Sequence, residues 1–255
     1  MAQEWTSYLA LGDSFTEGLD DLAPDGSYRG WADRVAERLA ADQPGFRYGN
    51  LAVRGKLLRQ ITAQQVPAAL DLRPDLVSMA GGVNDLMRPS WDIETLSLLF
   101  EDAVRRLRAG GSDVLLFVGV DPSRRSVLLR RMMPRIEALN ALVARVATEY
   151  DCLTTDLFGV HVFDDPRLWA EDRLHLSPEG HARVAGAVLE SLGHGDDTWR
   201  EPLPPQPEPA RTANLREHAH WTATHLGPWI GRRLVGRSSG DGIEAKRPGL
   251  TALHP

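Results

Sequence analysis

The sequence predicts an α/β protein in which helices cover both faces of a mostly parallel sheet. Two observations support this fold class. Apolar, strand-like segments alternate with amphipathic helical segments between residues 5 and 193, and the connections between them are short. The chain has 255 residues and no internal repeat, so it can bury one large core. We therefore expect a three-layer α/β/α sandwich built on about five strands.

Five apolar runs predict the strands of this sheet. The first run ends at Gly12, and the third is followed directly by Gly81 and Gly82, where glycine marks the turn out of a strand. The fourth run is the most apolar, with the sequence Val-Leu-Leu-Phe-Val at its centre. In chain order, the predicted strands occupy residues 5–11, 46–51, 75–80, 113–120 and 152–155.

The segments between the strands carry apolar residues at helical spacing. Pro67 interrupts one of these helices or begins a new turn within it, and Gly110 closes the next. The last helix begins with Ser177 as its N-cap and Pro178 at the first helical position, which is a typical helix start. The predicted helices lie at residues 31–41, 57–72, 96–107, 136–146 and 178–192.

Charge and cysteine content narrow the classes of function. With 29 Lys and Arg against 35 Asp and Glu, the net charge of −6 does not favour a nucleic-acid partner, which needs clustered basic residues. The single cysteine, Cys152, excludes an internal disulfide and is expected to be a packed thiol. The first residues lack the pattern of a signal peptide, and no apolar run approaches the roughly 20 residues that span a bilayer. We expect a cytoplasmic enzyme or binding protein without a membrane span.

The composition changes after the last predicted helix, which indicates a division of the chain. We expect a main domain at 1–194, a proline-rich linker at 195–213 and a C-terminal segment at 214–255. Within the last segment, 215–233 is a predicted helix on which Trp221 and Trp229 dock against the main domain or a second copy of the chain. The remainder, 236–255, is predicted to be a loose tail.

Four short segments carry glycine and polar residues where a parallel sheet gathers its reacting groups. Three of them follow predicted strands and one precedes the last predicted helix, so all four are expected at the same edge of the sheet. The segments are Gly12-Asp13-Ser14, the loop that contains Gly55, Gly82-Val83-Asn84-Asp85, and Asp172-Arg173-Leu174-His175.

This set supplies the groups that acyl transfer requires. Ser14 is the candidate nucleophile, His175 the base that takes its proton, and Asp172 the acid that orients the imidazole. The candidate oxyanion donors are the backbone N–H groups of Ser14 and Gly55 and the side-chain amide of Asn84. Taken alone, Ser14 is better explained as a helix N-cap, so the interpretation rests on the four segments together.

Together the four segments resemble the blocks of the SGNH hydrolases, the GDSL-type esterases and lipases, which are named for Ser, Gly, Asn and His. The blocks here are Gly-Asp-Ser-Phe-Thr-Glu-Gly, Asn-Leu-Ala-Val-Arg-Gly, Gly-Gly-Val-Asn-Asp and Asp-Arg-Leu-His-Leu-Ser, in the family's order. The resemblance covers about residues 5–192, and Phe15 stands where the family name has Leu. It implies a flavodoxin-like sheet, a serine esterase mechanism without a metal or other cofactor, and the roles assigned above. Thr16 separates this block from the Gly-x-Ser-x-Gly nucleophile elbow of α/β-hydrolases.

The sequence leaves two other classes of function open. A metal-dependent phosphoesterase could use Asp13, Asn84, Asp85, Asp172 and His175, although a two-metal site usually needs additional histidines. A non-catalytic binding or scaffold protein could act through its C-terminal helix, but it would have no need of a matched Ser, His and Asp. We favour a hydrolase that acts on a small-molecule ester, with short acyl or acetyl esters as the preferred class.

Variable loops are where the resemblance implies the acyl and alcohol pockets, here at residues 19–30, 121–131 and 156–171. Acetylated sugars, phospholipids, thioesters and aryl esters all fit this pattern. The arginines of the second loop indicate either an anionic substrate or a solvated rim, and the rim is the preferred interpretation. These arginines are Arg124, Arg125, Arg130 and Arg131.

Overall fold

A computed structural model of the chain describes residues 4–125, 127–205 and 240–253. Its strands are β1 Ser7–Leu11, β2 Arg47–Asn50, β3 Leu76–Met79, β4 Asp113–Val118, β5 Leu153–Asp156 and β6 Arg247–Ala252. They form one six-stranded sheet in the order β5-β4-β3-β1-β2-β6, in which β1 to β5 are parallel. All five predicted strands are present, and each differs from its prediction only at its ends.

Helices connect the parallel strands. Their bounds are α1 Ser14–Glu17, α2 Trp31–Asp42, α3 Leu58–Gln60, α4 Val66–Leu72, α5 Val83–Leu86, α6 Ile93–Ala109, α7 Val127–Arg130, α8 Met133–Glu149 and α9 Pro178–Ser191. Helix α9 begins as predicted, because the Ser177 hydroxyl accepts a hydrogen bond from the Gly180 N–H at 3.2 Å. In the part of the chain that the structure describes, no helix combines the length and the apolar character needed to cross a membrane.

The core lies in two layers, one on each face of the sheet. Because side chains alternate along a strand, Tyr8 and Ala10 point into one layer while Leu9 and Leu11 point into the other. Helices α2 and α9 close the first layer, and α4, α6 and α8 close the second. This is the three-layer α/β/α sandwich that the sequence predicts.

The order β2-β1-β3-β4-β5 is that of flavodoxin-like sheets, with its topological switch point between β1 and β3. Ligands of open α/β sheets bind in the crevice outside the carboxyl ends of the strands at this point. Ser14 follows β1 and Asn84 follows β3, so two of the candidate residues lie on either side of the crevice.

The predicted helix at 57–72 is divided in the structure. Helix α3 runs into a π-helical turn, Ile61–Gln65, and α4 follows with Pro67 in its first turn. Since Pro67 has no N–H to donate to the preceding turn, a new helix begins there, which is one of the two predicted alternatives. At the end of the π-helical turn, the Gln65 amide accepts a hydrogen bond from Gly12 N at 2.8 Å and donates one to Gly12 O at 2.9 Å.

The described part of the C-terminal tail corrects one expectation. The prediction of a loose tail at 236–255 is wrong for Arg247–Ala252, which forms β6 and pairs antiparallel with β2. This strand has Leu250 as its one large apolar residue and contains Pro248, so it lacks a strand pattern. An edge strand tolerates proline, and the pairing comes from β2, about two hundred residues away.

Two further predictions concern the segment after α9. In the first part of the predicted linker, Thr198–Arg200 forms a short 3₁₀ helix, and the buried Trp199 donates from Nε1 to Glu190 Oε2 at 2.8 Å. The predicted helix at 215–233, with its docking and self-association, lies outside the described residues and stays a prediction.

Candidate active site

Ser14 lies at the carboxyl end of β1, as the first residue of α1. The N-cap of this helix is Asp13, whose side chain accepts a hydrogen bond from the Phe15 N–H at 3.2 Å. Ser14 is therefore not the capping residue, and its hydroxyl is used elsewhere. Its partner is His175, whose Nε2 atom lies 3.0 Å from Ser14 Oγ.

The turn that presents Ser14 depends on Gly12. Its φ is +152°, and a Cβ at this position would lie 2.6 Å from Thr16 Oγ1 and 2.7 Å from Ala80 O. Any side chain would force the ends of β1 and β3 apart, so only glycine allows the close approach of these two strand ends.

The loop before α9 brings an imidazole and a carboxylate to Ser14. Nδ1 of His175 lies 2.5 Å from Asp172 Oδ2, while Asp172 Oδ1 accepts hydrogen bonds from Leu174 N at 2.9 Å and His175 N at 3.0 Å. Arg173 has a left-handed φ of 60°, so the chain turns back within three residues. The structure thus joins Ser14, His175 and Asp172 in one continuous series of hydrogen bonds.

The surroundings shift the pKa values of these two groups in opposite directions. Burial disfavours the charged form of Asp172, but the hydrogen bond and charge of His175 and two backbone N–H groups outweigh it and lower its pKa to about 2. Burial also disfavours charged His175, but the hydrogen bond and charge of Asp172, with the charges of Asp20 and Asp13, outweigh it and raise the pKa of His175. At neutral pH, Asp172 is a carboxylate that makes its neighbour a stronger base.

Asn84 joins three of the four segments. It lies in α5, and its Nδ2 donates to Asp13 Oδ2 at 2.9 Å and to Lys56 O at 3.1 Å. Asp13 is buried, and burial raises its pKa to about 6 against the hydrogen bonds from Phe15 and Asn84 and the charge of His175. The amide of Asn84 is therefore held by two acceptors at the switch point.

Gly55 directly precedes Lys56, one of the two acceptors of the Asn84 amide. Its φ of +72° is in the left-handed region that favours glycine, and the Lys56 carbonyl that follows it accepts the bond from Asn84. Gly55 is not among the residues that line the cavity beside Ser14. Within the described ranges, the backbone N–H groups of Ser14 and Gly55 donate no hydrogen bond.

A cavity of about 270 Å³ opens beside Ser14 and His175. The predicted pocket loops contribute to its wall, with Arg125 from one and Trp169 from another. The predicted site segments line it too, and further wall residues come from the sheet and from helices α6 and α8, which the sequence did not assign to the site. Most of the lining is apolar and includes Met79, Phe100, Phe117, Met132, Leu139 and Val143.

Sequence reasoning missed two polar residues of the site. The Oδ2 atom of Asp20 lies 3.7 Å from His175 Nδ1. The side-chain amide of Gln65 forms hydrogen bonds with both the N–H and the carbonyl of Gly12. Neither has a local sequence signal, because each acts on a residue more than fifty positions away.

The residues considered for a two-metal phosphoesterase do not form one cluster. Among the described side chains, the acidic and histidine groups close enough to share an ion are those of Asp20, Asp172 and His175. Asp13 and Asp85 lie outside this group, and Asp85 Oδ2 instead accepts a hydrogen bond from Leu58 N at 2.9 Å. The ligand set on which that alternative depended is therefore not assembled.

The fold and the sequence define the class of protein. The model of the GDSL-like Lipase/Acylhydrolase family matches residues 10–183, a range that includes all four segments. The chain belongs to this family and is an ester hydrolase, which confirms the resemblance predicted from the four blocks. No curated protein matches the chain.

Solved structures share the fold over most of their length. LAE5, an alpha/beta hydrolase enzyme from the metagenome of Lake Arreo in Spain, is 24% identical with a TM-score of 0.61, covering 75% of this chain and 96% of LAE5. Axe2, an acetylxylan esterase from Geobacillus stearothermophilus, is 20% identical with a TM-score of 0.60, covering 76% of this chain and 95% of Axe2. TesA is 24% identical with a TM-score of 0.61, covering 73% of this chain and 97% of TesA. At these identities the likeness establishes a common fold.

Proposed function

We propose that the protein hydrolyses carboxylic esters with short acyl chains through an acyl-enzyme on Ser14. The observation that carries this proposal is the series of hydrogen bonds from Ser14 Oγ to His175 Nε2 and from His175 Nδ1 to Asp172 Oδ2. A hydroxyl bound to an imidazole whose other nitrogen faces a carboxylate has the arrangement of nucleophile, base and orienting acid.

The reaction proceeds in two halves. Ser14 Oγ attacks the ester carbonyl carbon as its proton passes to His175 Nε2, and the tetrahedral intermediate collapses when the bond to the alcohol oxygen breaks. The imidazolium gives its proton to the departing alcohol. Water then attacks the acyl carbon, His175 takes a proton from it, and collapse releases the carboxylic acid and restores the Ser14 hydroxyl. Asp172 stays ionised throughout, because its pKa is about 2, and stabilises the imidazolium.

The oxyanion of each tetrahedral intermediate would be bound by Ser14 N, Gly55 N and Asn84 Nδ2. Two features support this assignment. The two backbone N–H groups donate to no acceptor among the residues described, and the amide of Asn84 is oriented by Asp13 and Lys56. Because the amide already donates to these two acceptors, an arriving oxyanion would share one of its hydrogens. A single such donor typically contributes about 10²- to 10³-fold to kcat.

The cavity beside Ser14 supports an acyl site for a short alkyl chain. Its wall is built from side chains such as Met79, Phe117 and Leu139, which offer an alkyl chain an apolar surface. Each buried methylene contributes about 0.8 kcal/mol to binding in such a site. Esters of several carbons should therefore be better substrates than acetate, up to the length that the cavity can enclose.

A comparison with Axe2 supports the same roles. The similar structures include catalytic mutants of this acetylxylan esterase, made at a serine, a histidine and an aspartate. Its aspartate precedes its histidine by three positions, as Asp172 precedes His175 here.

The proposal is tested with a series of p-nitrophenyl esters from acetate to long acyl chains, with EDTA present. Wild-type protein should hydrolyse the short esters, and Ser14→Ala should fall to the background rate, a loss of about 10³-fold or more. Ser90→Ala, which changes an exposed serine, is the matched control and should keep the wild-type rate. The acyl-chain profile then measures the depth of the cavity.

Labelling provides a second readout that does not depend on the choice of ester. A serine-reactive phosphonate should add one covalent group to the wild type and to Ser90→Ala, and none to Ser14→Ala. Hydrolysis that survives in Ser14→Ala, or that disappears on chelation, would contradict the serine mechanism.

A further inference from the structure

Arg125 forms part of the wall of the active-site cavity. The guanidinium carbon lies 3.4 Å from the centre of the Trp169 ring, in a cation–π stack. The Nε atom is buried and has no hydrogen-bond partner among the residues that the structure describes. A guanidinium has five N–H donors, so the cation is packed against an aromatic face while its polar contacts are incomplete.

No carboxylate within the described ranges forms an ion pair with Arg125. The carboxylate that attracts it is that of Asp164, which already contacts Arg124 Nη1 at 3.4 Å and His161 Nδ1 at 3.2 Å. Burial lowers the pKa of Arg125 to about 10 against this attraction, so the side chain is still charged at neutral pH. A desolvated charge without a partner is unfavourable, and an anionic ligand would remove that cost.

The stack of Arg125 on Trp169 is tied to the loop that carries His175. The Trp169 indole donates to Phe163 O at 2.9 Å, which fixes the ring. The next residue, Ala170, donates its backbone N–H to His175 O at 2.9 Å, and Trp169 forms an isolated bridge with Leu176. The ring on which Arg125 stacks and the imidazole of His175 therefore lie on one hydrogen-bonded loop beside the same cavity.

We propose that the ester substrate carries an anionic group, a carboxylate or a phosphate, that binds the Arg125 guanidinium while the ester carbonyl lies at Ser14. This inference rests on the proposed ester hydrolysis and specifies its substrate class. The guanidinium matches the two oxygens of such an anion, and the apolar cavity wall accommodates the carbon chain beside it. Arg124, whose side chain is 61% exposed and paired with Asp164, fits the solvated rim instead.

The test uses two pairs of esters, each with a charged member and a neutral member of the same length. In the first pair the charge is on the acyl side, with mono-(4-nitrophenyl) adipate against the matching ester with a terminal primary amide. In the second the charge is on the alcohol side, with 4-acetoxybenzoate against 4-acetoxybenzamide. The proteins are wild type, Arg125→Met, which keeps an unbranched side chain on Trp169, Arg125→Lys, and Arg124→Met as the matched control.

The wild type should prefer the charged member of at least one pair by about 10- to 100-fold in kcat/KM, the range expected for one charge-assisted contact. The pair that shows the preference identifies the side of the ester that carries the anion. Arg125→Met should abolish this ratio, Arg125→Lys should retain part of it, and Arg124→Met should retain all of it. Calorimetric titration with the preferred charged ester compares Ser14→Ala with the double variant that also carries Arg125→Met. The second substitution should weaken Kd by the same factor of about 10- to 100-fold.

Three results would overturn the inference while leaving ester hydrolysis intact. The first is equal kcat/KM for the charged and neutral members of both pairs in the wild type. The second is a preference for charge that survives in a folded Arg125→Met protein, and the third is a preference that is lost equally in Arg124→Met. If Arg125→Met does not fold, the inference is judged from the charged-to-neutral ratios of kcat/KM in wild type and in Arg125→Lys. If no ester in either pair is hydrolysed, the proposed function fails and this inference fails with it.

Discussion

The Oδ2 atom of Asp20 lies 3.7 Å from Nδ1 of His175, the nitrogen that Asp172 contacts at 2.5 Å. Asp20 has a left-handed φ of 70°, a conformation that aspartate tolerates better than most residues, and its side chain is 41% exposed. Two carboxylates therefore face one imidazole nitrogen. Both oppose the effect of burial and contribute to the raised pKa of His175.

Replacing Asp20 with Asn should move the acid limb of the kcat/KM profile to lower pH. In the proposed mechanism His175 must be neutral to take the Ser14 proton, so activity should rise as the pH passes upward through the pKa of His175, which is raised above 6.5. Loss of one negative charge at this distance should lower that pKa, because the Asp20 charge favours the imidazolium. The measurement is kcat/KM for a neutral ester between about pH 5 and 9.

The control for this prediction is Asp25→Asn. Asp25 is an exposed aspartate of the same loop, whose carboxylate accepts a hydrogen bond from the Ser27 hydroxyl at 2.6 Å. It should leave the acid limb in place. If Asp20→Asn lowers activity equally at every pH, then Asp20 supports the loop and does not tune the imidazole.

If Asn84 has the proposed oxyanion role, replacing it with Ala should lower kcat by about 10²- to 10³-fold with little change in KM, because an oxyanion donor acts mainly in the transition state. The comparison is made at saturating and limiting ester, with melting temperatures recorded for both proteins. A rise in KM at unchanged kcat would instead assign Asn84 to ground-state binding.

The strand ends, and hence most of the candidate site, could be predicted from the sequence for a physical reason. In a parallel sheet every strand-to-helix loop opens at one edge, so residues that directly follow predicted strands must converge. Ser14 and Asn84 each lie within a few residues of such an end, and His175 precedes a helix with a clear N-cap. In these cases, local sequence patterns therefore predicted which distant residues lie close together.

The remaining features depend on contacts that no local pattern encodes. β6 has little apolar character, and its strand conformation comes from hydrogen bonds to β2. Among the described residues Arg125 forms no ion pair, and the carboxylate that attracts it, Asp164, is paired with Arg124, which a count of arginines in the loop cannot reveal. Tertiary pairing decides both, so they became visible only in three dimensions.

Replacing Lys246 with Met should lower the free energy of unfolding by about 3 kcal/mol. The ammonium of Lys246 contacts the carboxylate of Asp33 and donates to Glu17 O at 2.6 Å and Tyr28 O at 3.0 Å, and both charged side chains are less than one fifth exposed. Burial raises the pKa of Asp33 against the attraction of Lys246, so loss of the ammonium leaves a carboxylate desolvated without its partner. Urea denaturation measures the difference.

Two further variants make this prediction specific. Lys56→Met changes a half-buried lysine whose ammonium makes a solvent-exposed hydrogen bond to Gln64, and should alter stability by no more than about 0.5 kcal/mol. Adding Asp33→Leu to Lys246→Met removes the unpaired carboxylate and should recover part of the loss. A Lys246→Met protein as stable as Lys56→Met would mean that the buried ion pair does not contribute to the free energy of unfolding.

Replacing His181 with Gln should remove the loss of stability that this residue causes as the pH falls from about 6.5 to 4. His181 is 1% exposed, accepts a hydrogen bond from Trp31 N at 3.3 Å on Nδ1 and bonds Leu19 O at 3.1 Å through Nε2, an arrangement of the neutral ring. Burial lowers its pKa to about 4, so the unfolded chain binds a proton first as the pH falls. The stability contributed by neutral His181 is complete above pH 6.5 and is lost as the pH approaches 4, a change of about 3 kcal/mol.

Because Asp13 acts in the opposite direction, this effect must be measured as a difference between proteins. The pKa of Asp13 is raised to about 6, so its protonation on acidification stabilises the folded state over much of the same range. Wild type and His181→Gln share that contribution, and subtracting their unfolding free energies at each pH removes it. His161→Gln, at a histidine that is 69% exposed, should follow the wild-type curve. Parallel curves for wild type and His181→Gln would mean that the imidazole binds its proton at the same pH in the folded and the unfolded chain, which would contradict a buried ring kept neutral by its contacts.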